Sequence, residues 1–281
     1  MIPAARIADE VERTVPLIAT SLRDDVLEAL QAAYADEPSE RGREVIRQLL
    51  DNAAAACERR VPLCQDTGTV WVWVELGQFE CIEGDLQGAV DDAVARAYEH
   101  AGLRMSVVAD ALFDRRNTTT NTPAFVDVTS RPGKGATVHM MLKGGGSDNA
   151  SALFMLEPSL GEQGVFDAVV SHVCAKATTA CPPLLVGVGV GGTFDTVPKL
   201  SKKALLRPIG TRAANQRVTA FEQRVLHAVN RSGIGPAGLG GRTTALAVHV
   251  LTAPCHIAAL PVAVNVGCIA MRSAMIEVEP S

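Results

Sequence analysis

The sequence predicts a mixed α/β fold, in which a helical N-terminal region precedes a mixed sheet within a single compact domain. Hydrophobic residues make up 47% of the 281-residue chain and charged residues 20%, which is enough apolar material for a substantial core. Apolar residues recur at helical spacing near the N-terminus, whereas β-rich segments occur further along. No internal repeat, low-complexity linker or charge block interrupts the chain, so we expect one domain over residues 1–281, with residues 1–60 as its helical part.

The elements of the first half can be justified one by one. Helical spacing runs from Ile7 to about Glu58. From Thr69 to Leu76 valine alternates with tryptophan, which predicts a strand with both tryptophans on one face. The alanine-rich, amphipathic segment from Leu86 to Ala101 predicts a helix. The polar segment from Asn117 to Ala124 predicts a loop.

The remaining elements alternate between strand and helix. Residues 124–128 and 136–142 alternate like the two strands of a hairpin, with a proline- and glycine-containing turn between them. The later predictions are helices at 164–180, 199–206 and 217–232, a buried strand at 184–190, and strand or buried-helix segments at 243–252 and 260–266.

Charge and N-terminal composition exclude several classes of protein. The 26 basic and 31 acidic side chains give a net charge of −5, without the basic footprint of a nucleic-acid-binding protein. The first residues mix both charge signs and lack the apolar region of a secretory signal. The longest apolar runs contain glycine and fall short of the ~20 residues that a membrane span requires. We therefore expect a cytoplasmic protein that binds neither nucleic acid nor membrane.

Two glycine runs resemble nucleotide-binding loops but lack the necessary context. Gly187 to Gly192 satisfies G-x-G-x-x-G, yet the acidic residue expected about 20 positions later is missing from Lys203 to Arg217. We expect these glycines to serve close packing of strand and helix instead. The second run, Gly235 to Gly241, is followed by Arg242 where a phosphate loop requires lysine, which argues against a nucleotide site.

The seven cysteines include no Cys-x-x-Cys pair, so the compact zinc and ferredoxin spacings are excluded. Without an export signal they are better interpreted as thiols or metal ligands than as disulfides. Three of them lie beside proline or glycine, where the backbone turns: Cys64, Cys181 and Cys268. The other four lie in helical or apolar surroundings and are expected to be small buried hydrophobes: Cys57, Cys81, Cys174 and Cys255.

Several ordered motifs between Val61 and Arg272 carry a family resemblance. They are LCQDTG, LRMSVVADALFDRRNT, NTPA, KGGGSDNASALFML, CPPLLVGVGVGGTFD, KALLRPIG, GIGPAGLGGRTTALAVH and HIAALPVAVN with its downstream cysteine. The sequence resembles the class I fumarases, which are oxygen-labile iron–sulfur hydro-lyases. The resemblance is to their α-subunit or N-terminal catalytic region, which is shared with L-tartrate dehydratase.

This resemblance implies a 4Fe-4S cluster held by three thiolates, those of Cys64, Cys181 and Cys268. The fourth iron would then have no protein ligand and would act as a Lewis acid toward a 2-hydroxy acid. The implied reaction is the reversible hydration of fumarate to L-malate, without redox change of the cluster.

The resemblance also implies residues that contact the dicarboxylate substrate. Arg104 matches the family's carboxylate-binding arginine, with a solvated surface residue as the alternative. Gln65 and Asp66 follow a cluster ligand directly. Gln65 is therefore expected to bind substrate and Asp66 to take part in catalysis, although Asp66 could instead cap a turn.

Two further features are implied in the same way. Backbone amides of Gly145 and Gly146 are expected to approach the substrate, with a simple hairpin end as the alternative. His256 is a candidate proton carrier or hydroxide stabiliser. A histidine beside an apolar segment is equally compatible with a structural role, and this alternative stays open.

Departures from the fumarase pattern concern the substrate. The loop at residues 117–124 lacks the glycine and acid of the usual NTGDNTPA, and Gly267 before Cys268 resembles tartrate dehydratase. The run Gly146 to Asn149 is instead fumarase-like. Fumarase is the first interpretation, and an L-tartrate dehydratase or related 2-hydroxy-dicarboxylate hydro-lyase is the alternative. A non-enzymatic metal- or thiol-binding protein is a third.

The sequence ends soon after the third predicted ligand. In single-chain relatives a β-type domain follows and contributes further substrate-binding arginine and lysine residues and a catalytic base. We therefore expect this chain to act with a separate β-type subunit in a hetero-oligomer.

Overall fold

A computed structural model describes residues 1–280, so the predicted domain end at Ser281 lies outside the described residues. The chain forms two compact units. The first unit contains residues 1–23, 53–145 and those from Arg272 onward, and the second contains residues 24–52 and 146–271. Each unit has helices and a sheet, so the α/β class is confirmed. A single domain over residues 1–281 stays a prediction.

Helices account for the N-terminal region, as predicted, and for every later segment with helical spacing. No helix within residues 1–280 is long and apolar enough to cross a membrane. The α-helices are α1 (Ala4–Thr20), α2 (Asp24–Asp36), α3 (Glu40–Arg59), α4 (Leu86–His100), α5 (Gly145–Asn149), α6 (Gly161–Lys176), α7 (Val197–Ala204) and α8 (Gln216–Asn230).

The strands include both ambiguous segments of the second half, which are strands rather than buried helices. Four strands have no counterpart in the sequence predictions, namely the two two-residue strands and the sixth and tenth strands. The strands are β1 (Ile2–Pro3), β2 (Thr69–Gly77), β3 (Ile82–Glu83), β4 (Phe125–Arg131), β5 (Ala136–Lys143), β6 (Ala152–Leu156), β7 (Leu184–Gly192), β8 (Ala245–Cys255), β9 (Leu260–Gly267) and β10 (Arg272–Val278).

The first unit is built on a four-stranded sheet with the order β10-β5-β2-β4. The predicted hairpin of residues 124–128 and 136–142 is therefore wrong, because β2 lies between these strands and pairs with both. β2 buries Trp73 and the valines on either side of it, so it gains most from the centre of the sheet. The two tryptophans do share one face, and their rings stack at 5.8 Å between centroids.

Helices α1 and α4 pack together and close the core of the first unit. Their apolar stripes bury Val11, Val15, Val90 and Val94 against the sheet. At one end of this sheet β2 begins, β5 ends and β10 begins, since β5 runs antiparallel to both neighbours. The segments that enter and leave these strands therefore meet at that end.

The second unit is built on a sheet with the order β6-β9-β7-β8, in which β7 is parallel to β8 and antiparallel to β9. The G-x-G-x-x-G run lies inside β7 rather than after it. A Cβ atom at Gly187 would lie 2.2 Å from the Ser201 carbonyl oxygen, and one at Gly189 would lie 2.5 Å from that of Val197. These glycines let α7 lie directly on the strand, which confirms the packing interpretation. Helices α6 and α8 bury their apolar residues together with those of the sheet in the hydrophobic core of this unit.

Candidate active site

The LCQDTG segment forms the loop that enters β2. The Leu63 amide donates to the Ala19 carbonyl oxygen at the end of α1, at 2.9 Å, and thereby fixes the start of the loop. Cys64 is half-buried with a free thiol, and Gln65 is exposed. Both side chains are thus available at the end of the sheet where β2 begins.

Asp66 holds this end of the sheet together. Its Oδ1 atom accepts from the Gly68 amide at 3.0 Å, and its Oδ2 atom accepts from the Gly145 amide at 2.7 Å. Its carbonyl oxygen accepts from Arg272 Nη1 at 2.7 Å. The turn-capping alternative is therefore observed, together with a tie to the glycine run. The catalytic role stays a prediction.

The amides of Gly145 and Gly146 were expected to approach a substrate, and the structure differs from this expectation at Gly145. The Gly145 amide already donates to Asp66, so its hydrogen is directed into the protein rather than toward a substrate. Gly146, the next residue, is exposed. The predicted approach of either amide to a substrate stays a prediction.

A buried polar layer supports the loop from the core side. The Tyr98 hydroxyl bonds to the carbonyl oxygens of Thr67 and Gly68, each at 3.0 Å, and Asn121 Nδ2 donates to the latter at 3.1 Å. Burial raises the pKa of Tyr98 well above its ordinary value, so the phenol stays a donor throughout the physiological range. Asn121 also accepts from the Ser106 amide at 2.7 Å.

Arg104 is joined to the same loop through its backbone. Thr67 Oγ1 donates to the Arg104 carbonyl oxygen at 2.6 Å. The Arg104 side chain is exposed, and within residues 1–280 it makes no ion pair. The first unit therefore brings together five of the predicted residues, namely Cys64, Gln65, Asp66, Arg104 and Gly145.

The second unit brings together the other two predicted ligands. β7 begins soon after Cys181, and antiparallel β9 ends immediately before Cys268, so both thiols lie at one end of this sheet. The Ile269 amide donates to the Cys181 carbonyl oxygen at 3.3 Å, which ties the two turns together. Cys181 is exposed, and its backbone adopts the left-handed conformation, with φ of 54°. This conformation interrupts regular secondary structure at the cysteine.

The rejected glycine run has a structural function beside Cys181. The Ala237 amide donates to the Pro182 carbonyl oxygen at 2.8 Å, so the run from Gly235 to Gly241 supports the cysteine turn. Glu37, only 2% exposed, fixes the end of this run. It accepts from the Arg242 amide at 2.8 Å, and from the Thr243 amide and hydroxyl at 2.8 and 2.9 Å.

The pKa of Glu37 reflects two opposing causes. Burial raises the pKa. The hydrogen bonds from the Arg242, Thr243 and Ser39 amides and from the Thr243 hydroxyl lower it, and together they outweigh the effect of burial. The net pKa lies below the ordinary glutamate value, so the carboxylate is charged at neutral pH. Glu37 was not predicted from the sequence, because a single glutamate after a helix carries no local signal.

An ion pair between a buried lysine and a half-buried aspartate also escaped prediction. Lys202 on α7 donates to Asp148 Oδ1 on α5 at 3.1 Å, and only 7% of Lys202 is exposed. Burial lowers the pKa of Lys202, which Asp148 opposes. Asp148 lies inside the KGGGSDNASALFML motif and Lys202 immediately before the KALLRPIG motif, but neither motif indicated that they would pair.

His256 lies at the opposite end of β9 from Cys268. It occupies the exposed turn between β8 and β9, where its Nδ1 atom accepts from the Ala258 amide at 3.1 Å. The strand has eight residues, and its seven steps of about 3.3 Å each separate the two ends by roughly 23 Å. The structure therefore does not bring His256 together with the two cysteines of its own unit, and its proton-carrying role stays a prediction.

The expectation that four cysteines are buried is wrong for three of them. Cys57, Cys81 and Cys255 are exposed, and Cys174 is half-buried. Cys57 lies on the outer face of α3, and Cys255 ends β8, where its thiol donates to the Ala259 carbonyl oxygen. Local apolar neighbours did not reveal which face of each element meets solvent.

The thiols fit an iron–sulfur cluster by their donor chemistry. Cys64, Cys181 and Cys268 form no disulfide, and none of the three is fully buried. Thiolates are the ordinary protein ligands of such clusters. Within residues 1–280, no group of three or more His, Cys, Asp or Glu side chains lies close enough together to hold a metal ion.

Comparison with known proteins assigns the family. The fumarate hydratase (Fumerase) family model matches residues 8–277. The putative L(+)-tartrate dehydratase subunit alpha of Methanocaldococcus jannaschii is 36% identical over 277 residues, which cover 96% of each chain. The L(+)-tartrate dehydratase subunit alpha of Escherichia coli UTI89 is 34% identical over 278 residues, 97% of this chain and 91% of that relative.

The protein is thus a hydro-lyase, as its motifs predicted, and the non-enzymatic alternative is set aside. The chain belongs to the fumarate hydratase family, and its curated relatives carry the name of alpha subunits.

Proposed function

We propose that this chain is the α-subunit of a class I fumarate hydratase, which catalyses the reversible hydration of fumarate to L-malate in the cytoplasm. The observation that carries the proposal is the meeting of Asp66, Arg104 and Gly145 at one end of the first unit's sheet. The family's motifs at these positions are far apart in sequence. Their meeting, together with the match over residues 8–277, supports a shared function.

In this proposal the first unit binds the substrate through its exposed polar groups. Arg104 offers an exposed guanidinium that has no carboxylate partner within residues 1–280, and a guanidinium binds a carboxylate through two parallel hydrogen bonds. The Gln65 side chain adds a neutral donor in the same unit, and the amide of Gly146, a residue of the second unit, stays a proposed substrate contact. Asp66 holds the loop and the glycine run in place, so that these donors keep their positions.

Cys64, Cys181 and Cys268 are the proposed ligands of a 4Fe-4S cluster. When bound, a cluster with three protein ligands supplies Lewis-acid chemistry at its remaining iron. The chain contributes thiolates on turns whose backbones are held by hydrogen bonds, at Leu63 for the first and between Ile269 and Cys181 for the others.

A β-type subunit is part of the proposal, because the relatives are named as alpha subunits. We assign the remaining substrate contacts and the catalytic base to that subunit. His256 is left out of the proposed site of its own unit, because β9 separates it from Cys268.

L-tartrate dehydratase is the second candidate. It is favoured by the names of the relatives at 34–36% identity and by the glycine before Cys268. Both candidates act on 2-hydroxy dicarboxylates, so the same charged groups serve either substrate.

The test is anaerobic kinetics of the chain purified together with its β-type subunit, on fumarate, L-malate and L-tartrate, with iron and labile sulfide measured in the same samples. We expect hydration of fumarate with the highest kcat/KM. Preference for tartrate would favour the second candidate, and absence of turnover on all three substrates by an iron-loaded sample would refute both.

The cluster ligands are tested by serine variants of each cysteine. Cys64→Ser, Cys181→Ser and Cys268→Ser should each lose iron, whereas Cys57→Ser, Cys81→Ser and Cys255→Ser are matched controls that should retain it. Iron retained in two of the three ligand variants would refute the assignment.

A further inference from the structure

A two-stranded arm leaves the first unit a few residues after Arg104. We call residues 107–118 the arm. Val108 and Asn117 form an antiparallel bridge between its two sides, and Asn117 Nδ2 donates to the Met105 carbonyl oxygen at 2.8 Å. Two backbone hydrogen bonds, of 2.8 and 2.9 Å, also join the two sides. The base of the arm is therefore held as a short ribbon.

The root of the arm, where Arg104 precedes it, is tied to the LCQDTG loop. Thr67 Oγ1 donates to the Arg104 carbonyl oxygen at 2.6 Å. The Asn121 side chain accepts from the Ser106 amide at 2.7 Å and donates to the Gly68 carbonyl oxygen at 3.1 Å. A protein domain bound to the arm is therefore brought next to that loop and to the guanidinium of Arg104.

The tip of the arm presents two apolar side chains to solvent. Leu112 is 75% exposed and Phe113 is 84% exposed. Among the large exposed apolar side chains of residues 1–280, only these two are adjacent in sequence. Scattered exposed apolar residues are ordinary in folded proteins, whereas exposed apolar groups that lie together mark interaction sites. The pair therefore indicates a surface that is covered in the assembled protein.

The tip is held in shape by its own hydrogen bonds. The Leu112 and Phe113 amides donate to Asp110 Oδ1 at 2.8 and 3.0 Å. On the other side of the tip, Arg115 Nη1 donates to the Ala111 carbonyl oxygen at 2.7 Å. A preformed tip loses little conformational entropy when it binds a partner. The arm therefore presents its two apolar side chains in a fixed arrangement.

The charges of the tip define the chemistry of its partner. Asp114 pairs with Arg116 at 2.8 Å, whereas Arg115 is exposed and makes no ion pair within residues 1–280. The tip thus combines two apolar side chains with one uncompensated guanidinium. A matching surface is an apolar depression bordered by a carboxylate, because a guanidinium binds a carboxylate and buried aromatic side chains dominate interfaces.

The position of the arm distinguishes between two occupants, a second copy of this chain and the β-type subunit. The arm begins beside the groups that we propose to bind substrate. The remaining substrate contacts are assigned to the β-type subunit, so that subunit must approach the same end of the sheet. A second copy would bring the same groups again instead of the missing ones. The β-type subunit is therefore the favoured occupant.

We propose that the arm docks this chain to the β-type subunit. Leu112 and Phe113 enter an apolar depression of that subunit, and Arg115 pairs with a carboxylate at its border. This inference rests on the proposed function, because the β-type subunit is taken from there. It adds the surface by which that subunit is brought next to Arg104 and the LCQDTG loop.

The test measures the assembly of the chain with its β-type subunit, both purified together under anaerobic conditions. The complex is diluted stepwise without substrate, and the assembled fraction is read by mass photometry. Leu112→Asp and Phe113→Asp should each raise the dissociation constant by roughly thirty- to several-hundredfold, as expected for residues that dominate an interface. Arg115→Gln should raise it by about three- to tenfold and reduce its dependence on salt.

Phe79→Asp is the matched control, because Phe79 is 79% exposed and follows β2 at the end of the sheet opposite to the root of the arm. It should assemble like the wild type. Wild-type assembly in Phe113→Asp would overturn the proposal, and so would an equal loss of assembly in Phe79→Asp. If circular dichroism shows that Phe113→Asp does not fold, wild-type assembly in Phe113→Ala also overturns it.

The same measurement separates the two occupants and the two proposals. A tip variant that keeps its β-type subunit but separates this chain from a second copy would assign the tip to a homodimer and overturn the docking proposal. Because assembly requires no turnover, a complex that depends on Phe113 but hydrates nothing would refute the proposed reaction and support the role of the arm. Hydration of fumarate by the wild type, with wild-type assembly in Phe113→Asp, would do the reverse.

Discussion

The Asp66 carboxylate accepts a hydrogen bond from the Gly145 amide at 2.7 Å, across 79 residues of sequence. The bond joins the loop that follows Cys64 to the start of α5. Because the acceptor is charged, it is stronger than a bond between neutral groups. Asp66 is therefore an organising residue of the site, whichever part it takes in the reaction.

Asp66→Asn should destabilise the first unit. The amide group cannot accept on both sides, so the bond from either Gly68 or Gly145 is lost and the remaining one is no longer charge-assisted. We expect the free energy of unfolding to fall by ~1.5–3 kcal/mol, measured by urea denaturation. Asp92→Asn, an exposed change on α4, is the control and should leave stability within about 0.5 kcal/mol of wild type. Equal stability of both variants would show that the Asp66 bonds contribute nothing.

Arg104→Ala should impair substrate binding without affecting the cofactor. Loss of one charge-assisted contact to a carboxylate costs ~1.5–3 kcal/mol, so kcat/KM should fall by roughly ten- to several-hundredfold. Arg104→Lys should recover part of the loss, because an ammonium restores charge but not the fork. Near wild-type turnover on every substrate would remove Arg104 from the site, whereas iron loss in step with activity would make its role structural.

Glu37→Gln should loosen the loop that supports Cys181. The variant lacks the charge that accepts from the Arg242 and Thr243 amides, so we expect a loss of ~1.5–3 kcal/mol in unfolding free energy. Iron content should fall as well, because the supported turn carries a proposed ligand. Glu28→Gln, an exposed change on α2, is the matched control.

The same residue predicts a dependence on pH. The pKa of Glu37 is lower in the folded protein than its ordinary value, so its stabilisation is complete above that value, about 4.3. It is lost as the pH falls through the folded pKa. Urea denaturation between pH 3 and 7 should therefore show the wild type and Glu37→Gln converging toward low pH. A constant difference over this range would contradict the assignment.

His256→Asn should leave the cluster intact. Asparagine keeps an acceptor for the Ala258 amide, and His256 lies at the opposite end of β9 from Cys268. We expect wild-type iron content and an unchanged visible absorption spectrum under anaerobic conditions. Loss of iron in this variant, with normal iron in Cys255→Ser, would show that His256 contributes to cofactor binding.

Local periodicity predicted helices and strands well but not their partners. The segments at 124–128 and 136–142 are strands, yet their closeness in sequence wrongly suggested a hairpin. The pairing was decided by β2, whose buried tryptophan and valines require a central position. β2 competes with β4 and β5 for the same pairing partners. These segments are distant in sequence, so the pairing cannot be read from a window of adjacent residues.

The site shows the same division. Motifs singled out Cys64, Asp66 and Arg104, and the structure joins the Arg104 backbone to the loop that carries the other two residues. They did not identify Arg272, because β10 was not predicted as a strand and an isolated arginine is ordinarily a surface residue. Only the register of β10 with β5 places it beside Gly144.

The sequence by itself determined the family, the α/β class, the turn positions of three cysteines and the packing function of the glycines in β7. These properties are carried by composition, by local spacing and by motifs that are contiguous in the chain. Only the tertiary structure decided that β2 separates β4 from β5, that Asp66 accepts from Gly145 and that His256 lies far from Cys268. The physical reason is that burial and hydrogen bonding here join segments that are far apart in sequence. The free energy that each segment gains depends on which of the other segments is available as its partner.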